Sequence, residues 1–441
     1  MTVRRWSGHL WRHRGTFLLV TLVTTLLLIL WASQLLQHPR GRHIAPAVER
    51  IPYSKHVPTI IAPPTAHRGG GGQMPKLRPP RNPSEHPARR KRRHLPPVAF
   101  LKMSKTGGST VQNILFRLGE RESVTFAFPY YTYQFSYPRR FRAEFVDDLP
   151  AGSTQYDILC SHMRLDMGQL RQVMPLNTVY LSLLRDPVHT FESVFSYYMS
   201  TVPAFTLAQR AAASHSKSAL HVFLEAPESF WDPAEPWNGL ARNPMSFDLG
   251  LNNWGWNSSW AEDLARLDQK FQLIMVAEHF DESLVLLKDL LQLDLEELAY
   301  VRLNTRSAKD VVNLSEEMRA RIRSWNSLDV LLYDFFLRAF WEKAERYGMN
   351  RLRREVAGLR AVVEGFRRRC LSREGVLPVE LGDLIRPWQS DSATILGYEL
   401  RGNLTDPEQE TCLRLVLPEL QYHSYLYFQQ YGRDMRSVPE E

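Results

Sequence analysis

Cysteine is scarce in this chain: Cys160, Cys370 and Cys412 are the only three in 441 residues. No two of them have the spacing of a metal-ligand pair, so the sequence implies no zinc site. A Cys370–Cys412 disulfide that leaves Cys160 buried and free is one arrangement open to them; three reduced core thiols is the other. Acidic residues are scarce in one region only. Residues 1–97 hold 17 Lys and Arg against two acids, Glu49 and Glu85. The formal charge of +8 therefore belongs to that segment, and residues 98–441 hold 38 basic against 45 acidic groups, a net of −7. A nucleic-acid binder needs its positive field on the folded domain, so no nucleic-acid partner is expected. Internal repeats, a Walker A loop and the protein-kinase motif set are all missing. So is the Asp-x-Asp motif with which metal-dependent glycosyltransferases hold a nucleotide diphosphate.

What the N-terminal segment does contain is apolar, then Pro-rich. Residues 15–37 are nearly all apolar, and about 20 such residues match the hydrocarbon core of a bilayer. Arg4, Arg5, Arg12 and Arg14 precede the run, which favours a cytoplasmic N-terminus. A cleaved secretory signal would have a shorter apolar region and a small-x-small cleavage site. The expectation is a cytoplasmic tail over 1–14 and a transmembrane signal anchor over 15–37. Residues 38–97 hold 13 of the 28 prolines and the Gly69–Gly72 run. Such a stretch buries too little apolar surface to offset its ordering entropy and reads as a disordered stem. The body, 98–441, is then expected on the lumenal side as a single-pass type II protein. Three sequons, at Asn257, Asn313 and Asn403, lie beyond the anchor and are candidate glycosylation sites.

Within the body, Val98–Leu101, Tyr156–Cys160, Thr178–Leu184 and Phe271–Val276 read as buried strands. Helical spacing follows the first at Val111–Leu118, the third through Phe191 and Tyr198, and the fourth at Glu282–Leu291, with Asp281 as its cap. Ser324–Arg369 reads as one long amphipathic helical stretch. Strands alternating with helices imply an α/β fold with a mainly parallel sheet flanked by helices.

The sharpest local feature lies between the first strand and its helix: Lys102-Met103-Ser104-Lys105-Thr106-Gly107-Gly108-Ser109-Thr110. Glycines let backbone wrap an anion, and a helix N-terminus directs free N–H groups at it. Lys105 adds charge; Ser109 and Thr110 add hydroxyls. The lysine precedes the glycines, the reverse of a Walker A loop. An ordinary strand–helix turn is the plainer reading of this pattern alone. A second anion site is offered by Arg185, which ends the third strand, with Ser193 on the helix beyond it. The plainer alternative there is a surface Arg paired with Asp186.

Loops of this kind, in this order and spacing, resemble the 5'-phosphosulfate and 3'-phosphate loops of sulfotransferases that use PAPS (3'-phosphoadenosine 5'-phosphosulfate). The runs FLKMSKTGGSTVQNILFR, CSHMRLD, VYLSLLRDPVHTFESVFSYY, AEHFDESLVLL, ILGYEL and LVLPELQY make residues 98–430 similar to the galactose-3-O-sulfotransferase family. That resemblance implies a P-loop-like sulfotransferase domain, a Golgi membrane enzyme, PAPS as donor with no catalytic metal, and the 3-hydroxyl of a β-galactosyl glycan as acceptor. It implies that Lys105 and the loop from Thr106 to Thr110 hold the 5'-phosphate, that Arg185 and Ser193 hold the 3'-phosphate, and that Lys102 assists. His162, just past the second strand, resembles the catalytic histidine of cytosolic sulfotransferases. Glu120, Glu122 and His279 are the other candidate bases. The chain departs from the family where Met103-Ser104 replaces the usual Thr-His. Trp254 and Trp256 are expected to pack in the core rather than stack on a sugar, and Asn243, Phe247 and Asp248 match a family segment without an evident role. Homodimerisation is left open.

Overall fold

The computed structural model describes residues 95–214 and 217–436. The sequence-derived tail, anchor and nearly all of the stem lie outside these residues. Among the described residues no helix is long and apolar enough to cross a membrane.

Val98–Leu101 (β1) is buried along its whole length, as a parallel strand covered on both faces must be. The chain then turns through the glycines into Gly108–Glu122 (α1), and returns through Ile158–Leu159 (β2) and Val179–Leu184 (β3) to Pro187–Tyr197 (α2). Leu273–Val276 (β4) leads through a short turn into Phe280–Leu291 (α3). The four strands form one parallel sheet in the order β2-β1-β3-β4. Alternation along β1 divides two cores. Val98 and Phe100 join Leu181, Leu183 and Met275 under the helices on one face, while Ala99 and Leu101 join Tyr180, Leu184 and Ile274 under those on the other.

A second sheet was not anticipated. Thr305–Arg306 (β5) precedes two long helices, Ser327–Tyr347 (α4) and Met349–Cys370 (α5), which lead to Leu371–Val376 (β6) and Ile395–Leu400 (β7). These strands pair antiparallel in the order β5-β7-β6. Asp406–Val416 (α6) and Glu419–Tyr431 (α7) close the described fold. Cys370 and Cys412 form a disulfide that ties the end of α5 to α6, and Cys160 is free and buried.

Two sequence expectations are corrected here. The stretch Ser324–Arg369 is broken rather than continuous: one helix ends at Trp325, and α4 gives way to α5 at Gly348, whose φ of 98° is costly for residues with a Cβ. Asp281 does not cap α3, whose N-cap position is His279. Its carboxylate lies in the first turn and accepts from the Tyr300 hydroxyl at 2.8 Å and Arg360 Nε at 2.6 Å. The helix therefore starts earlier than polarity alone suggests.

Candidate active site

In a parallel sheet, ligands settle beyond the carboxyl ends of the strands where the strand order reverses. Here that point lies between β1 and β3, which are paired in register from Val98↔Val179 to Leu101↔Ser182. A cleft of about 790 Å³ opens there. All of Lys102, Lys105, Thr106, Gly107, Gly108, Ser109, Thr110, His162, Arg185 and Ser193 line it, so the fold brings the sequence-derived site residues together.

The loop after β1 bends by two left-handed residues, Lys105 (φ 58°) and Gly107 (φ 100°). At Gly108 a Cβ would lie 2.9 Å from Lys102 Cγ, so a side chain there would collide with the lysine that crosses it. Lys105 Nζ stands 3.7 Å from the centre of the Tyr197 ring. Burial, then the charges of Arg306, Lys102 and Arg185, bring its pKa down to about 7. Arg185 Nη1 donates to the Lys105 carbonyl at 3.1 Å, joining the two anion motifs. The Arg185–Asp186 surface pair is not what forms: the Asp186 carboxylate caps α2 by accepting from Val188 N and His189 N, both at 3.0 Å. Ser193, one helical turn and a half on, is 3% exposed on the cleft wall.

His162 continues β2 and pairs across a parallel bridge with Lys102. Its Nδ1 lies 2.7 Å from the Lys102 carbonyl oxygen. A carbonyl can only accept, so Nδ1 carries the proton and Nε2 presents a lone pair. Burial, then the nearby Lys102 charge, pushes the imidazole pKa down to about 3. Ser104 Oγ lies 3.4 Å from Nε2. Behind it, Asp248 accepts from Ser104 N and from the Tyr137 hydroxyl, each at 2.7 Å. Burial raises the Asp248 pKa to about 7 despite these donors. The role missing for this segment is therefore visible: Asp248 fixes the loop behind the lysine.

The other candidate bases fall away. Glu120 is committed to Arg414 at 2.8 Å and to the hydroxyls of Tyr422 and Tyr425. Glu122 pairs with Arg121, and the His279 ring packs against Phe340 and Trp341. None of the three lines the cleft. Trp254 and Trp256 do not pack in the core as expected: they are 57% and 61% exposed, away from the cleft.

Several cleft residues had no signal in the sequence. Glu419, the first residue of α7, accepts from Lys102 Nζ with both oxygens at 2.7 Å and from Ser109 Oγ at 3.1 Å. Arg306 on β5 forms a buried pair with Glu192 of α2 at 2.5 Å. Trp237, Tyr198 and Tyr133 line the cleft as well. All come from elements far from the loop in sequence.

Two cationic loops around one cleft, with a neutral imidazole beside them, suit transfer of a group carried by a bisphosphorylated donor. The sequence pattern of the galactose-3-O-sulfotransferase family matches residues 10–430. The chain belongs to the galactose-3-O-sulfotransferase family. It is 40% identical to human galactose-3-O-sulfotransferase 3 over 358 residues, which cover 78% of this chain and 80% of that protein. With human galactose-3-O-sulfotransferase 2 it shares 40% identity over 360 residues, covering 78% and 87%. Human galactosylceramide sulfotransferase is 38% identical over 336 residues, covering 74% and 76%. As a galactose-3-O-sulfotransferase family member the chain is a sulfotransferase, and the family implies PAPS as sulfate donor. No group of three or more His, Cys, Asp or Glu suited to a metal ion occurs among the described residues.

Proposed function

We propose that this enzyme transfers the sulfuryl group of PAPS to the 3-hydroxyl of a terminal β-galactosyl residue. The observation that carries this reading is the single cleft in which Lys105, Arg185 and Ser193 converge beside the lone-pair nitrogen of His162. The loop N–H groups from Thr106 to Thr110 and Lys105 hold the 5'-phosphate, while Arg185 and Ser193 hold the 3'-phosphate. Lys102, held by Glu419 at the same cleft, assists at the donor. The acceptor oxygen attacks sulfur in line as the bond from sulfur to the bridging oxygen breaks. The acceptor proton passes to His162 Nε2, and adenosine 3',5'-bisphosphate leaves with its new negative charge facing Lys105.

A glycosyltransferase using a nucleotide diphosphate sugar would have no use for the second anion motif. A decayed, glycan-binding protein is less favoured because the imidazole keeps Nε2 as its lone-pair nitrogen, 3.4 Å from Ser104 Oγ, although Ser104 stands where a histidine is usual.

The setting we propose is the Golgi lumen, with residues 15–37 as a type II anchor and 38–97 as a stem. The Cys370–Cys412 disulfide supports an oxidising compartment. Exposure of Asn257, Asn313 and Asn403 suits glycosylation there.

The test is transfer from labelled PAPS to a panel of terminal β-galactosides by the full chain, with the sulfated position read by NMR. Sulfation at the galactose 3-hydroxyl, lost in Lys105→Ala and reduced at least about a hundredfold in His162→Ala, is the expected result. Sulfation at another position, or none with PAPS bound, overturns the assignment.

A further inference from the structure

Two chains of aromatic contacts start at tryptophans that line the cleft, Trp388 and Trp237, and end on different chemistry. On one side Trp388 lies 5.8 Å from Tyr197, whose ring holds the Lys105 ammonium. On the other, Trp237 lies 5.5 Å from Tyr137, whose ring is 4.2 Å from that of His162. The first chain leads to the lysine that faces the donor. The second leads to the base, which has to meet the acceptor.

Trp237 packs part of its ring on the core beneath it and leaves the rest in the cleft. It lines the cleft and stays half-exposed, in the short 3-10 segment Pro236–Ala241. Its neighbour Asn238 is buried and pins the segment: Asn238 Oδ1 accepts from Ala204 N at 2.8 Å, and Nδ2 donates to the Asp232 carbonyl at 3.0 Å. The Asn238 carbonyl accepts from Trp231 Nε1 at 2.9 Å. The Tyr198 ring lies 6.5 Å from that of Trp237, tilted by 38°. No protein group among the described residues holds the Trp237 indole N–H, which is left to meet a ligand.

We infer that Trp237 is the platform on which the acceptor galactose stacks. This rests on the proposed function and specifies how its acceptor is chosen. In β-galactose the axial 4-hydroxyl leaves the C3, C4 and C5 hydrogens on one face as a continuous apolar patch. An indole complements that patch, both by area and through its negative π-face. In glucose the equatorial 4-hydroxyl places the C4 hydrogen on the opposite face and breaks the patch. A galactose on Trp237 lies on the side of the cleft from which the Tyr137 ring leads to His162. The same contact therefore selects galactose close to the base. Trp254 and Trp256, which a sugar-stacking search by sequence would choose first, lie outside this cleft.

The experiment compares the full-length enzyme with Trp237→Ala and Trp237→Phe. It reads methyl β-galactoside binding by saturation-transfer NMR, adenosine 3',5'-bisphosphate binding by calorimetry, and acceptor KM. Trp237→Ala should weaken galactoside binding and raise acceptor KM about tenfold or more, while bisphosphate affinity stays within about twofold. Trp237→Phe should recover most of the loss and keep the preference for galactoside over glucoside. Unchanged galactoside binding and KM in Trp237→Ala, in an enzyme that sulfates galactosides normally, overturns the platform and leaves the proposed function standing. Failure of the unaltered enzyme to bind or sulfate any β-galactoside overturns both.

Discussion

Lys105 shows how a single side chain can be tuned by its surroundings before any substrate arrives. Burial and the neighbouring Arg306, Lys102 and Arg185 hold its pKa near 7. An anionic donor favours the protonated lysine, so binding above pH 7 must take up a proton. Donor affinity is therefore expected to fall as pH rises above 7, by at most about tenfold per pH unit for one proton. Calorimetry with adenosine 3',5'-bisphosphate between pH 6 and 9, in buffers of different ionisation enthalpy, measures both quantities. Lys105→Arg, which stays charged, should flatten the dependence; equal slopes in the two proteins would count against this account.

His162 leads to the opposite expectation. With its pKa pushed down to about 3, the imidazole is neutral at pH values well above 3. The acid limb of kcat/KM should then show no step at the ordinary histidine value of about 6.5. A step at that value, abolished by His162→Gln, would mean that the imidazole is solvated in the working enzyme. The loop residues could be read from sequence because their chemistry is local: strand, glycines and helix are contiguous, and Arg185 ends a strand that announces itself by its apolar run. Glu419, Arg306 and Trp237 could not. Their place in the cleft depends on how the second sheet and the last helices fold back, and nothing in their own neighbourhoods encodes that.

At the scale of elements, α7 has two tasks. Tyr422, Leu426 and Tyr427 are buried against the face of the parallel sheet that α1 covers, where Tyr422 meets the Phe116 ring at 5.4 Å. Glu419 at its first turn reaches into the anion cradle and holds Lys102. A carboxylate in that position opposes an anionic donor while keeping the lysine in place. Glu419→Gln should therefore bind adenosine 3',5'-bisphosphate more tightly, by several-fold, and transfer sulfate more slowly because Lys102 is no longer held. Titration and steady-state kinetics on the same preparation test the pair; weaker binding would show that the carboxylate's positioning role outweighs its repulsion. The four parallel strands were legible as apolar runs between helical spacings. The antiparallel sheet was not, since β5 is two residues long and β6 exposes Ser372, Arg373, Glu374 and Gly375. A strand that buries so little leaves no hydrophobic period to read. The break at Gly348 was visible only as a lone glycine, which a helix tolerates at a cost of about 1 kcal/mol.

For the whole molecule, the Cys370–Cys412 bond spans 42 residues and encloses β6 and β7. In the chain-entropy account a loop of that length contributes about 4 kcal/mol. Cys412→Ala should lower the thermal midpoint by several degrees. The same protein treated with reductant should approach that midpoint, and the variant should no longer respond to reductant. An unchanged midpoint would mean that α5 and α6 are held together by the surrounding core of Val301, Leu415 and Val416 alone.

Lys102 and Glu419 are joined at 2.7 Å although 317 positions separate them. During synthesis the first strand and its loop leave the ribosome long before the helix that completes them. At about 5–20 residues per second the interval is tens of seconds. Throughout it, the sheet face that α7 covers stays open and Lys102 lacks its counter-charge. The cleft therefore cannot be completed until the segment that begins at Glu419 has been made. A stop codon placed just before Glu419 would leave Lys102 without that partner and the sheet face uncovered.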